Sequence, residues 1–337
     1  MENSADAVFR AIQIEEVAAG KFDQLLVQRH LSDLPDNPLI LAVSHSSLNY
    51  KDALCAFGNS SFGCEYPHTP GIDAIGKVVV DHSGTFTPGD ELLVTGYGLG
   101  MHTPGGLAER IAIPLGWALA LPQGLNTREA MALGTAGLTA ALCVEKLLDS
   151  GATPPDGEVL VTGATGGVGS IAVALLAKLG FRVAAVTGKL ESADFLATLG
   201  AWKVIDREAL APFASKAMTK PAWAWAVDTV GGETLFNVIK SLAYGGGVAA
   251  CGMVSGAQFH ASVFPFIRRG ISLLGVDSVA LPIEKKADVW HLFADQWYIG
   301  DQLNRIAEDI SLAQVPEYLA RLHRGHGIGR YVVDMAL

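Results

Sequence analysis

The sequence predicts an α/β protein in two parts, a doubly wound sheet of six parallel strands preceded by a β-rich domain. Three observations carry this. From residue 127 onward, short apolar runs alternate with amphipathic helical stretches, the pattern of a parallel sheet with helical crossovers. A glycine-rich turn joins the first of those strands to its helix. Ahead of residue 126, the apolar runs are short and broken by Gly and Pro, as in sheets joined by turns.

In chain order, the first domain (residues 1–126) offers Leu39–Val43, Ile75–Val80 and Glu91–Val94 as strands. Thr127 to Leu148 reads as a helix that ends near Gly151, and Glu158–Thr162 as a buried strand. After the glycine turn, Ala172, Leu175, Leu176 and Leu179 share one helical face, with Gly180 as its stop. Further strands are predicted at Val183–Val186, Trp202–Ile205, Trp223–Val227, Val248–Cys251 and Ser272–Val276. One intervening helix holds Phe195, Leu196 and Leu199 and stops at Gly200; another aligns Leu235, Val238, Ile239 and Leu242. The second domain thus spans 127–278, and the tail 279–337, too short to fold alone, is expected to return to the first.

Half of the 337 residues are apolar and 17% are charged, enough for a core and against long disordered stretches. The net charge of −10 disfavours nucleic acid and anionic membranes as partners, since both need basic surface. No two of Cys55, Cys64, Cys143 and Cys251 are spaced as C-x-x-C and no histidine cluster accompanies them, so reduced thiols and no metal are expected. The first ten residues lack the apolar core of a secretion signal, and no uninterrupted apolar run is long enough to span a bilayer. A cytoplasmic protein acting on a small-molecule substrate is the expectation.

The turn Gly163-Ala-Thr-Gly166-Gly167-Val-Gly169 follows a strand and opens a helix. Glycines there permit a tight turn and close approach of backbone to a diphosphate, which meets free N–H groups and the positive end of the helix dipole. The spacing is G-x-x-G-x-x-G rather than G-x-G-x-x-G; its place within a six-strand alternation gives it weight. The next strand ends Val186-Thr187-Gly188-Lys189, without the acid that would bind the ribose hydroxyls of NAD. A hydroxyl and an ammonium there, with Arg207 after the third strand, favour a 2′-phosphate and hence NADPH. Glu191 is the nearest contrary charge.

In these features the chain resembles the medium-chain dehydrogenase/reductase superfamily, and within it the acrylyl-CoA reductases and related quinone oxidoreductase-like proteins. The matching stretches are Ser47-Leu-Asn-Tyr-Lys-Asp52, Pro70-Gly-Ile-Asp73, Val161 to Gly169, Val227-Asp-Thr-Val-Gly231, Ala249-Ala-Cys-Gly252, Pro265-Phe-Ile267 and Gly275-Val-Asp-Ser278. The resemblance implies a GroES-like catalytic domain beside a Rossmann domain. Zinc-dependent members carry a Cys ahead of an Asp, and a Gly-His-Glu. This chain reads Asn49-Tyr50-Lys51-Asp52 and Gly71-Ile72-Asp73, and Ile72 cannot bind metal. Without a Lewis acid, the substrate is expected to be primed for hydride already: a conjugated thioester, enone or quinone.

The resemblance implies cofactor contacts from Tyr50, from Thr165, Gly166, Gly167 and Val168, and from Thr187, Gly188 and Lys189. It places Arg207 near the adenosine phosphate, Met253, Ile267 and Ser278 around the nicotinamide, and Arg330 at the cofactor from the tail. Tyr50 is the candidate donor to the enolate oxygen; Asn49 and Asp52 flank and orient it, Asp52 reading equally as a capping carboxylate. Arg268 with Arg269, or Lys285 with Lys286, are candidates to rim a site for CoA phosphates, or else solvated pairs. The leading activity is NADPH-dependent reduction of acryloyl-CoA; a quinone reductase and a non-catalytic NADPH-binding protein are the rivals. Kinship implies a homodimer pairing through Ser272–Val276.

Overall fold

The structure is a computed structural model that describes residues 7–59 and 63–337. Its contacts divide the chain into two units. One comprises the described residues up to Thr135 with Val279–Tyr298 and Ala307–Leu337, the other Ala136–Ser278 with Ile299–Ile306.

The first unit opens with an antiparallel hairpin, β1 (Val8–Ala18) and β2 (Lys21–His30). Then come β3 (Leu39–Ser47), α1 (Tyr50–Ala56), β4 (Asp73–Asp81), β5 (Glu91–Thr95), β6 (Arg110–Ile113) and β7 (Leu119–Ala120). α2 (Thr127–Asp149) leads out of it. α2 is long and apolar enough to cross a bilayer by length and mean hydropathy, though charges interrupt its apolar run; it is mostly buried and broken at Gly134, as a core helix is.

In the second unit, β8 (Glu158–Val161), α3 (Gly167–Lys178), β9 (Arg182–Thr187), α4 (Ala193–Thr198) and β10 (Ala201–Asp206) alternate. β11 (Trp223–Asp228), α5 (Gly232–Ile239), β12 (Leu242–Ala250), α6 (Phe264–Arg269) and β13 (Ser272–Gly275) continue the pattern. All six strands run parallel in the order β10-β9-β8-β11-β12-β13. This is the doubly wound order, with the first strand at the centre and the chain stepping outward on either side. Leu160 pairs with Ala184 and Ala226 in register, and all three are fully buried. Leu242, assigned to a helix face above, starts β12 instead, because α5 ends at Ile239.

The tail forms α7 (Ile283–Ala294), α8 (Gly300–Ile306), β14 (Ala307–Ser311), α9 (Val315–His323) and β15 (Arg330–Asp334). β15 pairs antiparallel with β3, Val332 opposite Ser47, within a seven-stranded mixed sheet ordered β14-β15-β3-β4-β5-β7, with β6 on β3. The last strand therefore lies beside the segment that carries Asn49 and Tyr50. α8 groups with the second unit, packing on α3.

Candidate active site

In the first unit the chain leaves β3 at Ser47 and turns into α1. Asp52 sets that turn by accepting the Asn49 N–H at 2.7 Å, so the helix starts at Tyr50 with its side chain 38% exposed. The same carboxylate accepts the N–H groups of Gly71 and Ile72 at 3.0 and 3.1 Å, tying α1 to the segment before β4. Asp52 is fully buried. Desolvation raises its pKa to about 7 against an ordinary 3.8, outweighing the hydrogen bond from Asn49, while the Asp73 charge adds to the rise. Its place is that of an anchor beneath Tyr50, not of a group open to substrate.

Asp73 is the hub. It accepts the Ser47 hydroxyl and Asn49 Nδ2 at 2.8 Å, the Thr135 hydroxyl at 2.5 Å, and the Thr135 N–H at 2.9 and 3.0 Å. Gly134 makes this possible: at φ 51° it breaks α2 and aims the next N–H at the carboxylate. A Cβ there would fall 2.5 Å from Asp73 Oδ2.

Arg330, expected at the cofactor from the tail, directs its side-chain donors to protein. It is 2% exposed, and Nε goes to Ala132 O, Nη1 to Leu48 O and Asn49 Oδ1, Nη2 to the Ser47 hydroxyl. Nη2 also lies 3.6 Å from Asp73 Oδ2. Burial lowers its pKa, and the Asp73 and Asp52 charges oppose that. The arginine fastens Asn49 from beneath. Ser47, Asp73 and Thr135 complete the network; the sequence placed Ser47 and Asp73 in motifs but gave neither this task.

The second unit builds its site from backbone. Gly163, at φ 58°, sits where a Cβ would fall 2.3 Å from Thr229 Oγ1, and a Cβ at Gly169 would fall 2.3 Å from Gly163 O. Only glycine lets α3 lie this close to the turn, and its first N–H groups, from Gly167 onward, have no partners within the helix. Gly166 caps it. The hydroxyls of Thr165 and Thr187 lie 3.1 Å apart, and Thr187 accepts the Lys189 N–H at 3.0 Å, fixing the turn through Gly188. Lys189 is half-buried, which lowers its pKa against the pull of Glu191. The Arg207 side chain, 70% exposed, lies against Gly188, where a Cβ would meet Nε at 2.8 Å. Two cations thus flank the carboxyl end of β9.

Met253 and Ile267 are exposed apolar side chains, Ile267 at 76%, and buried Ser278 shares a hydrogen bond with Thr139 at 2.7 Å. Asp228, which sequence reasoning did not single out, is buried at the end of β11. It accepts the Thr162 hydroxyl and the N–H groups of Val230 and Gly231, and burial raises its pKa.

Two further expectations are corrected. Lys286 cannot rim a phosphate site: it is buried, donates to Thr95 O and Val279 O at 2.6 and 3.2 Å, and lies over the Tyr97 ring. Arg269 is likewise bound to the carbonyls of Thr219, Lys240 and Leu242. Nor are all cysteines reduced, since Cys55 and Cys64 form a disulfide and His68 lies beside them.

A family model described as zinc-binding dehydrogenase matches residues 167–295. Acrylyl-CoA reductase AcuI of Ruegeria pomeroyi is 40% identical over 329 residues, covering 97% of this chain and 99% of its own. YhfP of Bacillus subtilis, provisionally named a quinone oxidoreductase, is 43% identical over 303 residues, 90% of this chain and 92% of its own. The crystal structure of YhfP with NAD bound superposes with a TM-score of 0.93 at 42% identity, over 98% of this chain and all of that one. That of Escherichia coli YhdH with bound NADPH gives 0.92 at 42% identity, over 96% and 99%.

The chain belongs to the medium-chain dehydrogenase/reductase superfamily, in its zinc-free quinone oxidoreductase-like branch. It is an NADPH-dependent oxidoreductase. The residues present fit that cofactor: glycines where a Cβ would fill the cradle, unpaired helix N–H groups for a diphosphate, and Lys189 with Arg207 for a further phosphate.

Proposed function

We propose that the chain reduces the C=C bond of acryloyl-CoA, giving propanoyl-CoA, without a metal ion. The observation that carries this reading is the end-to-end likeness to AcuI, 40% over 97% of the chain. Ile72, buried where zinc-dependent relatives have a histidine ligand, supports the metal-free route.

When bound, NADPH supplies hydride, which a conjugated thioester accepts at its β-carbon; a proton completes the product at the α-carbon. The backbone of Thr165 to Val168 holds the diphosphate, and Thr187, Gly188, Lys189 and Arg207 hold the 2′-phosphate. Met253, Ile267 and Ser278 shape the nicotinamide end. Tyr50, whose side chain is exposed at the start of α1, donates its hydroxyl to the thioester oxygen as negative charge collects there and relays the proton. Asn49 and Asp52 keep that helix start in place, and Arg330 acts through Asn49 rather than on the cofactor. A homodimer through β13, the last strand of its sheet, belongs to the same reading.

NADPH oxidation measured with acryloyl-CoA, simple enones and simple quinones under identical conditions tests this. Acryloyl-CoA is expected to have the highest kcat/KM. A quinone turning over faster replaces the reading with quinone reduction, the activity the name of YhfP points to. NADPH binding without turnover of any acceptor makes the chain a nucleotide-binding protein with no catalytic role.

A further inference from the structure

Besides the groups assigned to the reaction, the first unit gathers two cysteines and a histidine. Cys55 lies in the last turn of α1, Cys64 nine residues further on, and His68 shortly before β4. One donor atom from each lies within 4.8 Å of the others. Cys55 and His68 are buried and Cys64 half-buried, with Ile72, Met101 and Tyr66 packed around the sulfurs. The Tyr66 hydroxyl donates to Cys55 O at 2.6 Å and helps hold the cluster together.

His68 is prepared as a ligand. Its Nε2 lies 2.8 Å from the Gly100 carbonyl, which only accepts, so that nitrogen carries the hydrogen. The lone pair is therefore on Nδ1, and a carbonyl that fixes the tautomer in this way is the usual companion of a metal-bound histidine. Two thiolates and an imidazole favour a Zn2+-like ion over Mg2+ or Ca2+, which prefer oxygen. In the structure the sulfurs are joined, and a disulfide offers no thiolate.

We propose that reducing the Cys55–Cys64 disulfide opens a Zn2+ site formed by Cys55, Cys64 and His68, with water as the fourth ligand, and that oxidation closes it. In the opening step a dithiol gives two electrons and two protons to the S–S bond and becomes a disulfide itself. Zn2+ then displaces one proton from each thiol. In the closing step hydrogen peroxide takes two electrons from the thiolates and two protons from solvent, the S–S bond re-forms, the peroxide leaves as two waters and Zn2+ is released. The site shares neither Asn49 nor Ile72 with the zinc positions of the dehydrogenase relatives.

Cobalt titration of the full chain tests this, because Co2+ takes zinc sites and absorbs in the near ultraviolet when bound by thiolate. The chain reduced with a phosphine is expected to bind one Co2+ with that band, and the peroxide-treated chain none. Cys64→Ser is expected to abolish the band and His68→Asn to weaken it, with NADPH binding as the check that each variant is folded. A reduced chain without the band overturns the proposal, and that arm needs no variant. The same band persisting in Cys64→Ser overturns it too, since the ion then does not need both sulfurs.

Discussion

The two units hold their working groups by opposite means. The second relies on backbone: turns that only glycine allows, N–H groups at the start of a helix, and Arg207 lying against Gly188 with half-buried Lys189 next in the chain. The first stacks side chain on side chain, Ser47, Asn49, Asp73, Thr135 and Arg330, around a carboxylate with no exposed surface. A backbone site suffers when atoms are added to its glycines and tolerates loss of a side-chain tip. A buried polar network fails when one partner is removed, because the others are left desolvated and unpaired.

The largest effect is therefore expected at Arg330. Arg330→Ala removes the cation beside Asp73 and the donors to Leu48 O, Ala132 O and Asn49 Oδ1. Breaking a buried pair from one side costs about 3–5 kcal/mol. Thermal unfolding followed by circular dichroism should show that loss in full, whereas Lys189→Ala should change stability by less than about 0.5 kcal/mol. Equal stability of the two variants would erase the contrast between the units.

The middle effect concerns cofactor choice. Lys189→Ala and Arg207→Ala are each expected to lower kcat/KM for NADPH by about tenfold, the worth of one charged contact partly screened by water. The value for NADH should stay where it is, since NADH has no 2′-phosphate. A parallel fall with both cofactors would assign these residues to the turn itself and not to the phosphate.

The same contrast explains what could be read from sequence. The parallel sheet was legible because its central strands are continuous apolar runs and α3 and α5 carry apolar faces of their own; Leu160, Ala184 and Ala226 needed no distant partner to be recognised as buried. The glycine turn was legible because its chemistry lies within seven residues. Leu242 was misplaced because helical spacing continues arithmetically past the end of α5, while the chain has already turned into β12. The β1–β2 hairpin gave little signal, since β2 has no buried residue and hence no apolar face to betray its period. The Asp73 network was illegible as a network: Arg330 and Ser47 stand 283 positions apart, and Thr135 and Asp73 62 apart. The meeting of Cys55, Cys64 and His68 was hidden likewise, because their spacing matches no zinc-ligand motif.

The smallest effect separates burial from hydrogen bonding at Asp52. Its carboxyl titrates at about 7 against an ordinary 3.8, because burial outweighs the N–H groups of Asn49, Ile72 and Gly71. The native chain thus keeps a proton that the unfolded chain has released. The share of stability tied to that proton is complete below about pH 4 and is lost as pH rises through 7, at a slope on the order of 1 kcal/mol per pH unit. Between pH 6 and 7, urea unfolding of the wild type should carry this loss against the opposing gain from His45 and His68, whose burial lowers their pKa values. Asp52→Asn, which does not titrate, should lack it, so the cost of the substitution is smaller at pH 7 than at pH 6. Asp228 in the second unit has its pKa raised by burial as well, so the Asp52 variant retains whatever pH dependence Asp228 contributes. If wild type and Asp52→Asn ran parallel across that interval, the three N–H bonds would have won over burial, and Asp52 would be an ordinary ionised cap.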